Sequence, residues 1–126
     1  MFDAEDLIYG YSRKQAIEDG VLIDVSVTAR EAGFRFPVAL TRAVWEQCVR
    51  VPDSVSGQDE AGRLWDILWM LHLAIKQHGG GSEIAFALHV RNDNRNGTPP
   101  LVRLKALCGP GDDAEPVITI LLPEED

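Results

Sequence analysis

The sequence predicts an α+β domain, with short N-terminal helices and a long central helix packed on a C-terminal three-stranded antiparallel sheet. Three observations predict it. Short capped segments fill the first half. A mostly apolar run with helical spacing covers residues 59–78. After it, apolar residues recur at every second position. A length of 126 residues suits one domain over 1–126. Residues 1–10 and 123–126 are expected as mobile tails, because chain ends are ordered only where something ties them down.

Ser12-Arg13-Lys14-Gln15 reads as a capping box whose short helix closes at Gly20. An extended apolar segment, Val21-Leu22-Ile23-Asp24-Val25, follows. Thr28-Ala29-Arg30-Glu31 reads as a second box, closed by Gly33 with Phe34 folding back on the last turn. Pro37 to Leu40 is extended. Thr41 then caps a helix through Arg50, with Val44, Trp45, Cys48 and Val49 on one face, and Pro52 ends it. Residues 53–58 form a polar loop.

The strongest helix runs from about Asp59 to His78. Its apolar residues, among them Leu64, Trp65, Leu68, Leu71 and Ile75, cover more than half the circumference, and Arg63, Asp66 and Gln77 share a narrow polar face. Such a helix should be central, with Trp65 and Leu68 among the most buried residues. Beyond Gly79-Gly80-Gly81, Ile84, Phe86, Leu88 and Val90 alternate with smaller or polar residues. Leu101 to Cys108 and Val117 to Leu122 supply two further strands of a meander.

The net charge is −8, and both chain ends are acidic. An acidic surface is repelled by phosphates, so nucleic-acid binding is not expected as a general property. No apolar run is long enough for a transmembrane helix, and the acidic start Asp3-Ala4-Glu5-Asp6 does not fit a signal peptide. A cytoplasmic protein without a membrane partner is expected. The two cysteines, Cys48 and Cys108, are expected as buried free thiols.

Motif-like stretches carry little chemistry. His78-Gly79-Gly80-Gly81 resembles an esterase oxyanion loop, but no Gly-x-Ser-x-Gly elbow accompanies it. Asn92-Asp93-Asn94-Arg95-Asn96-Gly97 has the alternating oxygens of a calcium loop, yet Arg103 stands where the bidentate carboxylate is needed. No metal site and no cofactor are expected. His72, on the apolar arc of the central helix, reads as a core residue before it reads as a general base.

Two surface groups are candidates for binding. Asp112, Asp113 and Glu115 share one connector between strands and can present carboxylates together. If Ile84, Phe86, Leu88 and Val90 face the helix, His89, Arg91, Arg103 and Lys105 share the outer face of the sheet as a basic patch. No aromatic residue alternates onto that face, so base stacking is unsupported.

Four stretches carry a resemblance: residues 11–20; Asp24-Val25-Ser26 with Ala29 to Phe34; Pro37 to Thr41 with Val44-Trp45; and Gly62 to Met70. In these the chain resembles an uncharacterised family (a domain of unknown function) of small phage-, prophage- and plasmid-associated bacterial proteins. The resemblance implies a mobile-element accessory protein of unknown activity and transfers no catalytic residue.

The expected role is a non-enzymatic protein-binding accessory factor with a protein partner, in its sharpest form an acidic inhibitor of a host nucleic-acid-handling system. One alternative is a small enzyme whose site gathers Tyr9, Tyr11, Asp24, Glu31 and His72. Another is a nucleic-acid binder using the basic sheet face.

Overall fold

The computed structural model describes residues 11–79 and 81–125. In chain order they form α1 (Arg13–Glu18), β1 (Leu22–Asp24), α2 (Ser26–Glu31), β2 (Val38–Thr41) and α3 (Arg42–Val44), which continues into a π-helical turn over Trp45–Val49. Then come α4 (Glu60–His78), β3 (Glu83–His89), β4 (Leu101–Pro110) and β5 (Pro116–Leu121).

Local chemistry sets most of these boundaries. Ser12 Oγ accepts from Gln15 N at 3.0 Å and starts α1. Gly20, at φ 76°, lets the chain turn back so that Val21 N reaches Ala16 O. Thr41 Oγ1 accepts from Val44 N and starts α3. The expected helix through Arg50 is α-helical for only one turn. Its end widens so that Arg50 N bonds to Trp45 O, five residues back. Asp59 caps α4 by accepting from Gly62 N at 2.7 Å, and Gly79, at φ 74°, closes it.

The second capping box is not used. The helix starts three residues earlier, at Ser26, and Asp24 Oδ1 accepts from both Ser26 N and Ser26 Oγ. Thr28 therefore lies inside α2. Gly33 and Phe34 behave as expected, with Phe34 N donating to Ala29 O and its ring buried.

The expected three-stranded antiparallel sheet is overturned. The sheet has five strands in the order β1-β2-β5-β4-β3 and is mixed. β3, β4 and β5 do form an antiparallel meander, but β5 also pairs in parallel with β2, and β2 pairs antiparallel with β1. The physical reason lies in β2. Val38, Ala39 and Leu40 are all fully buried, because this short strand is covered on both faces and paired on both edges.

On one face the sheet packs against α2, α3 with its π-turn, and α4, with Ile67, Leu68, Leu71, Leu104 and Ile120 at the centre. The other face is covered at the β1–β2 end by α1, where Ala16, Leu22 and Ala39 form a small second core. At the C-terminal end, Glu125 Oε1 accepts from Thr41 Oγ1 and Leu122 N.

Two side chains of α4 depart from expectation. Trp65 is 38% exposed rather than deeply buried, because α4 packs on one side only and its outer ridge faces solvent. Arg63, expected on the polar face, is buried. Its Nε donates to Cys48 O, its Nη1 to Arg91 O and its Nη2 to Asn92 Oδ1. Burial lowers the Arg63 pKa, an effect opposed by the neighbouring Cys48 and Glu60. Cys48 is buried, and desolvation raises its pKa against the opposing charge of Arg63. Cys108, also expected inside, is exposed.

Candidate functional site

The carboxylates of the β4–β5 connector are placed by a tight turn. Gly111 N bonds to Glu115 O and Ala114 N to Gly111 O, with Ala114 at a left-handed φ of 64°. The Glu115 carboxylate lies against Gly111, where a Cβ would collide with it, and Glu115 Oε2 accepts from Asp113 N at 2.9 Å. Asp112 reaches across to α1, and its two oxygens accept from Arg13 N at 2.8 Å and Lys14 N at 3.0 Å. Anions are stabilised at the start of a helix by its free N–H groups. Two of the three carboxylates thus bind the protein's own backbone. Asp112→Asn should cost about 1 kcal/mol in chemical unfolding, because it removes the charge from two bonds that hold α1 to the sheet. An unchanged unfolding midpoint would deny that anchoring role.

Arg13, beside Asp112, completes the same corner. Its guanidinium donates to Thr119 Oγ1 at 2.7 Å and Ile118 O at 2.9 Å across β5. Burial lowers its pKa, and the nearby Asp24, Asp112 and Glu115 oppose that shift.

The basic residues of the outer sheet face divide. Arg103 and Lys105 stay on the open face of β4, opposite Ala87 and Ala85, around a shallow hollow of about 420 Å³ that Glu83 and Pro123 also line. His89 Nδ1 instead meets Pro99 O at 2.8 Å. Arg91 turns into the following loop, donating to Arg95 O and Gly97 O. That asparagine-rich loop is fastened to its surroundings. Asn92 Nδ2 donates to Gln47 O, and Asn94 pairs with Ser54 and Ser56.

The residues offered for an enzyme are not gathered. Tyr9 lies outside the described residues. The Tyr11 hydroxyl donates to Asp19 at 3.4 Å, Asp24 accepts from Ser26 at the start of α2, and Glu31 ends the same helix exposed. An apolar hollow of about 280 Å³ between the end of α4 and the sheet, with Cys108 and Phe36 in its wall, includes none of these residues. Among the described residues no group of His, Cys, Asp and Glu is arranged to hold a metal ion. No described helix is long and apolar enough to cross a membrane.

His72 belongs to a different arrangement. Its ring stacks on Trp69 with centroids 5.4 Å apart and meets Phe34 edge-on at 6.0 Å. Phe34 is buried, His72 half-buried and Trp69 44% exposed, so the three rings run from core to surface. Trp65, one turn earlier on α4, is exposed beside it. Sequence reasoning missed this surface because every apolar residue of a wide stripe was assigned to the core. The signal was available in the spacing, since Trp65 and Trp69 are four residues apart and share one ridge.

A family model described as "Family of unknown function (DUF6573)" matches residues 1–126. No curated protein and no solved structure matches the chain.

Proposed function

The chain belongs to the family of unknown function DUF6573, which fixes no activity, and we propose that it is a non-enzymatic accessory factor that binds a basic protein partner. One observation carries the reading: two tryptophans stand exposed one turn apart on one helix, and one of them, Trp69, stacks on His72, which in turn rests against Phe34. Tryptophan is enriched where binding energy concentrates, and a side chain already held in place loses little freedom on association. The net charge of −8 favours a basic partner and steers its approach. A host nucleic-acid-handling protein inhibited on behalf of a mobile element is the sharpest form of the proposal. The resemblance in sequence supports that form; the fold adds nothing to it.

The test is capture from a bacterial lysate with the wild-type chain beside a Trp65→Ser/Trp69→Ser variant. The wild type should retain a basic protein that the variant loses while remaining folded. Equal retention by both would remove the tryptophan ridge from the binding site. Retention of duplex DNA, through Arg103 and Lys105, would replace the proposal with the nucleic-acid reading.

A further inference from the structure

The outermost described strand, β3, has a backbone pattern that can be read residue by residue. Its register with β4 places Glu83 opposite Leu107 and His89 opposite Leu101. Just beyond its two ends, Cys108 N donates to Ser82 O and Val90 N to Pro100 O. In an antiparallel pair the directly opposed residues alternate between bonded and non-bonded pairs. The even-numbered residues of β3 therefore bond to β4. The odd ones, Glu83, Ala85, Ala87 and His89, aim their N–H and C=O groups away from the sheet. Among the described residues no strand lies beyond them.

This edge lacks the usual guards. Edge strands are commonly kept short or blocked with lysine, proline or a bulge. β1, at the opposite edge, has three residues. β3 has seven, with neither lysine nor proline and with alanine at two of its four outward-bonding positions. A shallow groove of about 370 Å³ runs beside it, walled by Trp69 and Met70 of α4 and by Leu101 of β4.

We infer that β3 pairs antiparallel with β3 of a second copy of this chain about a two-fold axis at Phe86, joining two sheets into one. The sequence of the strand is complementary to itself in that register. Glu83 falls opposite the second copy's His89, Ala85 opposite its Ala87, Ile84 opposite its Leu88, and Phe86 opposite itself. The Glu83–His89 and Ala85–Ala87 pairs match odd residues with odd residues, which are the positions with outward backbone groups. The two glutamates are kept apart, each facing an imidazole across the strands, where like charges would be unfavourable. Sliding the strands by two residues leaves part of each edge unpaired, so this register uses the whole strand. A two-fold axis also closes the assembly, since each copy spends its one long edge. The inference goes beyond the binding role proposed for Trp65 and Trp69, which does not depend on it.

Sedimentation of the wild-type chain over a wide concentration range should show a reversible dimer. Ala85→Pro removes an outward N–H and leaves the bonds to β4 intact. It should keep the circular dichroism of the wild type and weaken dimerisation by at least about tenfold. Glu83→Lys should also weaken it, and Glu83→Lys with His89→Glu should restore it, a rescue that a folding defect would not produce. A wild-type monomer at every concentration overturns the inference. So does a dimer indifferent to Ala85→Pro, or a strand that accepts only a peptide from another protein.

Discussion

Leu68→Ala should lower the unfolding free energy by about 2–5 kcal/mol, because the leucine is fully buried and α4 cannot collapse into the space it leaves. Trp65→Ala, three residues earlier on the same helix, should cost no more than about 2 kcal/mol, since part of the indole already faces water. The contrast runs against residue size and follows from the phase of the helix. Denaturant unfolding of the two variants measures it directly. A greater loss from the tryptophan would mean that the outer ridge of α4 is covered.

Arg63→Met should cost about 2–4 kcal/mol. Methionine fills the space but leaves Cys48 O, Arg91 O and the Asn92 side chain without a donor. A buried polar group that loses its partner pays its own desolvation, which exceeds the net value of the bond it made. The effect should spread locally: amide exchange in the loop over residues 91–97 should rise, because Arg63 ties its start to α4. Arg63→Lys should recover only part of the loss, as an ammonium cannot reach three acceptors with a planar fork. Full recovery by lysine would show that charge, and not geometry, holds the site.

The parts of the fold legible in the sequence were those written locally. Ser12, Thr41, Asp59, Gly20, Gly33 and Gly79 mark helix ends through bonds to near neighbours, and the alternation from Ile84 to Val90 gives β3 its inward face. The parallel pairing of β2 with β5 was not legible, because it joins Val38–Leu40 to Ile118–Ile120 across most of the chain. A four-residue apolar strand carries no mark of its partner. Arg63 illustrates the same limit. Helical spacing placed it on the polar face, and only acceptors from the π-turn and the loop after β3 draw it inside.

The candidate surfaces were legible to a similar degree. The connector that holds Asp112, Asp113 and Glu115 was visible as an acidic turn, but its bond to the start of α1 needed the fold. Arg91 alternates with the outer face of β3 in sequence, yet it lies beyond the end of the strand and its side chain bonds within its own loop. The packing of His72 between Phe34 and Trp69 joins the segment after α2 to α4 and could not be read from either segment alone.

The most direct test of a tryptophan-centred binding surface is the kinetics of association with the basic protein that the wild-type chain retains, at low and high salt. Desolvated anchors act mainly on dissociation, whereas exposed charges act mainly on the rate of encounter. Trp65→Ser/Trp69→Ser should speed dissociation by at least about tenfold and leave the association rate nearly unchanged. Added salt should slow association of wild type and variant alike. Dissociation unaffected by removal of both tryptophans, with binding indifferent to salt, would contradict the account.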